Sequence, residues 1–341
     1  MSFIQEKTFA VTKTLEGAHY DFERAKVLRS GMEWMITDYA AKSSNGKPFE
    51  AKGLIVTGPS RIGKSGEIGK MLEAVNDGST IMPDGRPAMI EKVTLDGSLS
   101  FKELGRRTLK DGLGYGKTGS DKISSRANQS DVWDKVFFQA KEQGVVGIHF
   151  DECQHIFSGK SASVRKIILD SFKSLLKRTD WPLMLILSGV NELTEYVSEE
   201  EQLSYLLRPV VFTEIRPNNT VDLKEISDLC HLYAGKVGID FPENLWTSDF
   251  TKRLAFCSAN RWGLLIELVI DALKIAHFND VAQVDTEHFC KSFTDRTGFA
   301  VGHSPISIEY YEEAFDTQKI LDMVRRSEVA GKSEDRKRRP K

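Results

Sequence analysis

"GLIVTGPSRIGKSGEI", Gly53 to Ile68, reads as a buried strand, a glycine-bearing loop and the start of a helix. Leu54, Ile55 and Val56 form an apolar run, and Ile68, Met71, Leu72 and Val75 then recur at helical spacing. Between them Gly58, Gly63, Lys64 and Ser65 meet the pattern G-x-x-x-x-G-K-S in the strand, loop and helix context that gives the pattern its meaning. Main-chain N–H groups can wrap a phosphate chain only where side chains do not block the approach, and glycine leaves it open. The helix that follows turns its first N–H groups and positive dipole end toward the anion. Gly58, Pro59, Ser60, Arg61, Ile62, Gly63, Lys64, Ser65 and Gly66 are therefore expected to cradle ATP, with Lys64 reaching the β/γ phosphates and Ser65 ligating Mg²⁺.

Composition sets the frame for that loop. A chain of 341 residues, 40% hydrophobic and 28% charged, can bury a large core and suits two domains better than one. Its apolar runs, such as Leu183 to Leu187, are far too short to span a bilayer, so no membrane role and a cytoplasmic setting are expected. Cys153, Cys230, Cys257 and Cys290 form no C-x-x-C pair, which argues against a disulfide framework or zinc ribbon; Cys230-His231 with His288 and Cys290 is the one conceivable metal grouping.

The next informative stretch is "VVGIHFDECQHIF", Val145 to Phe157, a near-continuous apolar run ending in two carboxylates. Such a run fits a strand covered on both faces. At the carboxyl end of a parallel strand Asp151 would sit beside the phosphate loop and hold Mg²⁺, leaving Glu152 to deprotonate the attacking water. A helix with Val164, Ile167, Ile168, Phe172, Leu175 and Leu176 on one face leads into another apolar strand, Leu183 to Leu187, so strands and helices alternate as in an α/β fold with a parallel sheet. A second strand is expected at Ile90 to Leu95. After Leu187 come Ser188, Gly189, Val190 and Asn191, where Ser188 or Asn191 could touch the γ-phosphate or the water.

The order of the phosphate loop, "HFDECQHI", "LILSGVNEL", "QLSYLLRPVVF" and "SANRWGLL" resembles the AAA+ ATPases, and within them the transposition regulators of the TnsC/TniB type, relatives of MuB. The resemblance covers roughly Phe22 to Phe293. It implies an AAA+ P-loop fold, with a central parallel sheet flanked by helices and followed by a small helical lid. It also implies that Arg208, near the end of a helix before the fifth strand, reaches the nucleotide of a neighbouring subunit, and that Arg261 in Ala259-Asn260-Arg261-Trp262-Gly263 reports on the γ-phosphate from the lid. By the same resemblance the chain is expected to form an ATP-dependent ring or filament around duplex DNA, to recruit a transposase, and to answer to a target-selection protein that can be RNA-guided.

Residue patterns fill in the organisation. Residues 17 to 42 look helical and belong to a lead-in spanning 1–50; the nucleotide-binding core is expected over 51–217. A helical lid over 218–297 is expected from periodic segments at 222–235, 248–257, 261–278 and 285–293, with a hinge at Asn218 and Asn219. From Lys102 to Arg126 seven basic residues (Lys102, Arg106, Arg107, Lys110, Lys117, Lys122, Arg126) stand against three acids, and Gly112, Gly114, Gly116 and Gly119 mark a mobile surface loop there. Lys102, Arg106 and Lys122 are the candidate duplex-DNA contacts, because a backbone-tracking assembly needs repeated basic groups rather than base readout. The tail, 298–341, carries Tyr310, Tyr311, Phe315, Ile320, Leu321 and Met323 before a basic end and reads as a partner-docking segment or a flexible basic tail. Rival readings of the whole are a replication-initiator or loader ATPase, a switch-type NTPase acting on a protein, and a small-molecule kinase.

Overall fold

A computed structural model describes residues 6–115, 126–300 and 302–326. They fold as two compact units: an α/β unit of the described residues in Glu23–Ser60 and Lys64–Thr213, and a helical unit of the described residues in 1–22, Arg61–Gly63 and those from Glu214 onward. The first described helix, α1 (Glu6–Glu16), belongs to the helical unit.

The α/β unit runs α2 (Glu23–Ser44), β1 (Gly53–Thr57), α3 (Lys64–Val75), β2 (Met89–Thr94), α4 (Phe101–Arg107), α5 (Gln129–Gln143), β3 (Val145–Asp151), α6 (Ala162–Leu176), β4 (Met184–Gly189), α7 (Glu192–Ser198), α8 (Glu201–Leu206) and β5 (Leu207–Val211). Among the described residues five strands make one all-parallel sheet in the order β2-β3-β4-β1-β5. The three inner strands are buried at every residue, which is why they read as unbroken apolar runs. The outer strands β2 and β5 mix buried with exposed positions. An edge position also explains how β5 tolerates Pro209, which cannot donate to a ladder.

Register decides where the chemistry falls. Phe150 of β3 lies opposite Leu187 of β4, and Val56 of β1 lies opposite Ser188. Asp151, Ser188 and Thr57 therefore reach the same, carboxyl, end of the sheet. β4 continues through Ser188 and Gly189, beyond the apolar stretch that marks it in the sequence.

The lead-in differs from expectation. The helical pattern over 17–42 is broken: residues 18–22 are not helical, and α2 begins at Glu23. The break places Phe22 edge-on to Trp262 at 5.0 Å, a contact inside the helical unit. Lys102 and Arg106 lie one turn apart on α4, both half-buried. A π-turn, Thr108–Gly112, follows; Gly116, Gly119 and the third DNA candidate, Lys122, lie outside the described residues.

The helical unit continues with α9 (Thr220–Lys236), α10 (Ser248–Cys257), α11 (Trp262–Phe278), α12 (Thr286–Thr297) and α13 (Tyr311–Ala314), with residues 317–326 also helical. Side-chain caps set the starts: Asn219 for α9, Thr247 for α10 and Asp285 for α12, each accepting from main-chain N–H groups. α11 is buried around most of its circumference by α12 and α1, with Leu265, Leu268 and Leu273 meeting a core that includes Phe289 and Phe293.

The tail is corrected by burial. Tyr311, Phe315, Ile320 and Leu321 are buried within the helical unit and cannot serve as a free docking stripe. Arg253 of α10 ties this segment down, donating to the carbonyls of Pro305 (2.8 Å) and Ile308 (2.6 Å) with its guanidinium 4.7 Å from the Tyr311 ring. Tyr310 remains exposed and Met323 half-buried, while the basic end from residue 327 lies outside the described residues. Among the described residues no helix is long and apolar enough to cross a membrane. Nor does any group of three His, Cys, Asp or Glu side chains converge on a metal position; burial pushes the Cys230 thiol up to about 12, and Cys290 Sγ accepts from Ser304.

Candidate nucleotide site

The loop between β1 and α3 holds a shape that few residues accept. Gly63 has φ of 97°, where a side chain would be hindered, and Arg61 takes φ of 62°, an uncommon conformation for a residue with a Cβ. At Gly58 the constraint is space, since a Cβ would lie under 3.0 Å from the Phe212 carbonyl oxygen. Lys64, 6% exposed at the start of α3, donates to Gly58 O (2.8 Å) and Pro59 O (2.9 Å). Its ammonium is thus held inside the loop rather than in solvent. The outer part, Arg61–Gly63, groups with the helical unit: Gly263 N–H donates to Arg61 O at 3.0 Å, and the Arg61 guanidinium faces Glu267 at 3.3 Å.

Ser65 joins the loop to the acidic motif, its hydroxyl donating to Asp151 Oδ1 at 3.3 Å. Asp151 is 4% exposed and well supplied with donors: Ser188 Oγ at 2.7 Å and the Glu152 N–H at 3.1 Å on Oδ1, and Lys92 Nζ at 3.0 Å on Oδ2. Burial opposes ionisation of this carboxyl, but the neighbouring His149, the Ser188 hydroxyl and Lys92 outweigh it and hold it below the usual carboxylate range. Glu152 follows in the left-handed region at φ of 57°, where the turn into the short 3₁₀ segment Cys153–Ile156 requires it. Its Oε2 accepts from Gln154 Nε2, while Gln154 Oε1 accepts from the Val190 N–H at 3.3 Å.

The two polar candidates, Ser188 near the end of β4 and Asn191 just after it, part company. Ser188 is fully buried and bonded to Asp151, whereas Asn191 is exposed at the head of α7, its side chain capping nothing. Arg208 stands inside β5, one residue past its start, and not on the preceding helix, because α8 ends at Leu206. Exposed on an outer strand, its guanidinium lies 5.4 Å from the Trp34 ring. Arg261 precedes α11 in the helical unit and is ion-paired with Glu214.

Comparison with known proteins places this geometry. No protein-family model matches the sequence, and no curated protein matches it. Solved structures do. Cdc6p from Pyrobaculum aerophilum superposes with a TM-score of 0.54 at 13% identity, over 82% of this chain and 69% of that one. The ORC2 protein of Aeropyrum pernix, in ADPNP–ADP complexes, gives 0.54 at 14% identity over 89% and 74%. The Aeropyrum pernix ORC1 protein in complex with DNA gives 0.53 at 11% identity over 94% and 87%. The fold is that of the AAA+ ATPases.

The side chains present suit a magnesium nucleotide. Ser65 and Asp151 offer hard oxygen donors side by side, the chemistry Mg²⁺ prefers, with the carboxylate ionised and a loop of main-chain N–H groups alongside. Three further participants, Lys92, His149 and Gln154, escape the sequence reading. Two of them come to the site through strand register, which no linear spacing encodes; a histidine inside the apolar run Val145–Phe150 is the one visible signal.

Proposed function

We propose that this chain is a Mg²⁺-dependent AAA+ ATPase of the cytoplasm that works as an oligomer on duplex DNA, a regulator of transposition of the TnsC/TniB type. The observation that carries the ATPase reading is the convergence of Lys64, Ser65 and Asp151 at the carboxyl end of β1 and β3, beside Glu152. Lys64 would turn from the loop carbonyls to the phosphates, and Ser65 and Asp151 would hold Mg²⁺. When bound, the metal neutralises charge on the β and γ phosphates. Glu152 would take the proton of the attacking water, Arg208 would serve the nucleotide of a neighbouring copy, and Arg261, released from Glu214, would sense the γ-phosphate. In this reading Lys102, Arg106 and Lys122 track the DNA backbone, ATP loading favours a ring or filament, and the assembly links a target-selection protein, possible RNA guidance included, to a transposase.

The likeness to Cdc6 and ORC folds supports a second reading, a replication-initiator or loader ATPase. In this chain Tyr311, Phe315, Ile320 and Leu321, which follow α12, are buried within the helical unit.

Binding and turnover test the proposal. Lys64→Ala should lose ATP affinity, while Glu152→Gln should bind ATP as the wild type does yet hydrolyse it at least about a hundredfold more slowly, the scale of a lost general base. Isothermal titration and phosphate release would read the two. Anisotropy of a labelled duplex should show ATP-dependent, salt-sensitive binding with little sequence preference. A wild type that binds no ATP overturns the ATPase reading, and duplex binding indifferent to nucleotide overturns the DNA switch.

A further inference from the structure

His149 is an expensive residue where it stands. It is fully buried in the middle of β3, opposite Ile186 of β4 on one side and Lys92 of β2 on the other. A polar group so placed is destabilising unless its donors and acceptors are used. One ring nitrogen is used. Nε2 lies 2.8 Å from Ser188 Oγ. Ser188 has a single proton, which it gives to Asp151 Oδ1 at 2.7 Å. The contact with the ring must therefore be made by a proton on Nε2, which fixes the tautomer and leaves a bare lone pair on Nδ1, an atom with no hydrogen-bond partner among the described residues.

The chain His149 Nε2–H to Ser188 Oγ–H to Asp151 Oδ1 has one direction and no freedom. If the His149 donor were absent, the Ser188 hydroxyl could rotate its proton away from the carboxylate. With the donor in place it cannot. A side chain that acts only through Ser188 would then govern how the carboxylate beside Ser65 is aimed.

We propose that His149 is the positioning residue of the magnesium site: by donating to Ser188 it locks the Ser188 proton onto Asp151 and so fixes the carboxylate in the attitude that Mg²⁺ requires. The inference rests on the nucleotide reading above and adds a residue to it. It also assigns Ser188 to Asp151 rather than to the γ-phosphate, because its one proton is already committed.

The test separates positioning from packing. Titration of a fluorescent N-methylanthraniloyl ATP, with Mg²⁺ and with EDTA, gives the factor by which the metal tightens nucleotide binding. His149→Leu fills a similar volume without a donor, whereas His149→Gln can present an amide N–H near the same point. Loss of an outer partner of a metal ligand costs about 10–100-fold in metal affinity. We expect His149→Leu to lose at least about tenfold of the Mg²⁺-dependent tightening, with affinity in EDTA unchanged, and His149→Gln to keep most of it. Should His149→Leu fail to fold, Ser188→Ala reads the same relay and should show the same selective loss. Full Mg²⁺ tightening in His149→Leu, or in Ser188→Ala where the leucine variant does not fold, overturns the inference alone. A wild type whose binding ignores both Mg²⁺ and Lys64→Ala overturns the nucleotide reading on which it rests.

Discussion

At the scale of single residues, the position of Glu152 depends on an atom that is missing elsewhere. Gln154 spans the gap between Glu152 and the Val190 N–H, and its side-chain amide can do so only because residue 189 has no Cβ: one built there would lie under 3.0 Å from Gln154 Oε1. Gly189→Ala should therefore displace the amide and loosen Glu152, the proposed proton acceptor, while leaving Lys64, Ser65 and Asp151 in place. The expected outcome is a fall in kcat of at least about tenfold with little change in KM, read by steady-state phosphate release. An unchanged kcat would remove Gln154 from the mechanism. Lys64, Ser65, Asp151 and Glu152 are legible in the sequence because the chemistry that needs them also dictates their spacing along the chain. Gln154, Lys92 and His149 act across space, through a turn or a strand register, and only His149, a polar residue inside an apolar run, leaves a mark in linear order.

Elements were legible where their ends carry their own chemistry. The helices of the lid stand close to their expected bounds because Asn219, Thr247 and Asp285 cap them, and the inner strands because burial on both faces demands unbroken apolar runs. α1 went unread, and the tail, read as a partner-docking or flexible segment, has its apolar side chains covered within the helical unit, because periodicity says that a face is covered, not by what. α2 offers an element-scale test. Tyr39, on its inner face, donates to the Pro182 carbonyl at 3.0 Å, and burial pushes its phenol up to about 12 from the ordinary 10. Between those values the folded chain keeps a proton that the unfolded chain has lost. The stabilising contribution is intact below pH 10 and is lost as pH rises toward about 12, by up to about 1.4 kcal/mol per pH unit. An ultraviolet difference titration of wild type against Tyr39→Phe should show one phenolate appearing near 12; a midpoint near 10 would mean that α2 does not shield the ring.

For the whole molecule, the proposed function makes each copy depend on its neighbour. Arg208 is exposed on the outer strand β5, whereas Ser65 and Asp151 meet at the carboxyl end of the inner strands, where the proposed function would have them hold the nucleotide of their own chain. If Arg208 acts on a neighbouring copy, a nucleotide bound to one chain is hydrolysed only when another chain supplies its guanidinium. The two halves can then be broken separately. Arg208→Ala retains its own loop and binds ATP but offers nothing to its neighbour; Lys64→Ala binds none but still offers Arg208. Each alone should be nearly inactive. Mixed in equal amounts with free exchange, about a quarter of the contacts would pair an intact loop with an intact arginine, and turnover should recover toward that fraction of wild type. Recovery should also weaken on dilution, since the complete site exists only between copies. If no ratio of the two restores phosphate release, Arg208 serves its own chain or its own fold, for which the Trp34 contact at 5.4 Å is the ready explanation, and assembly is not what completes the site.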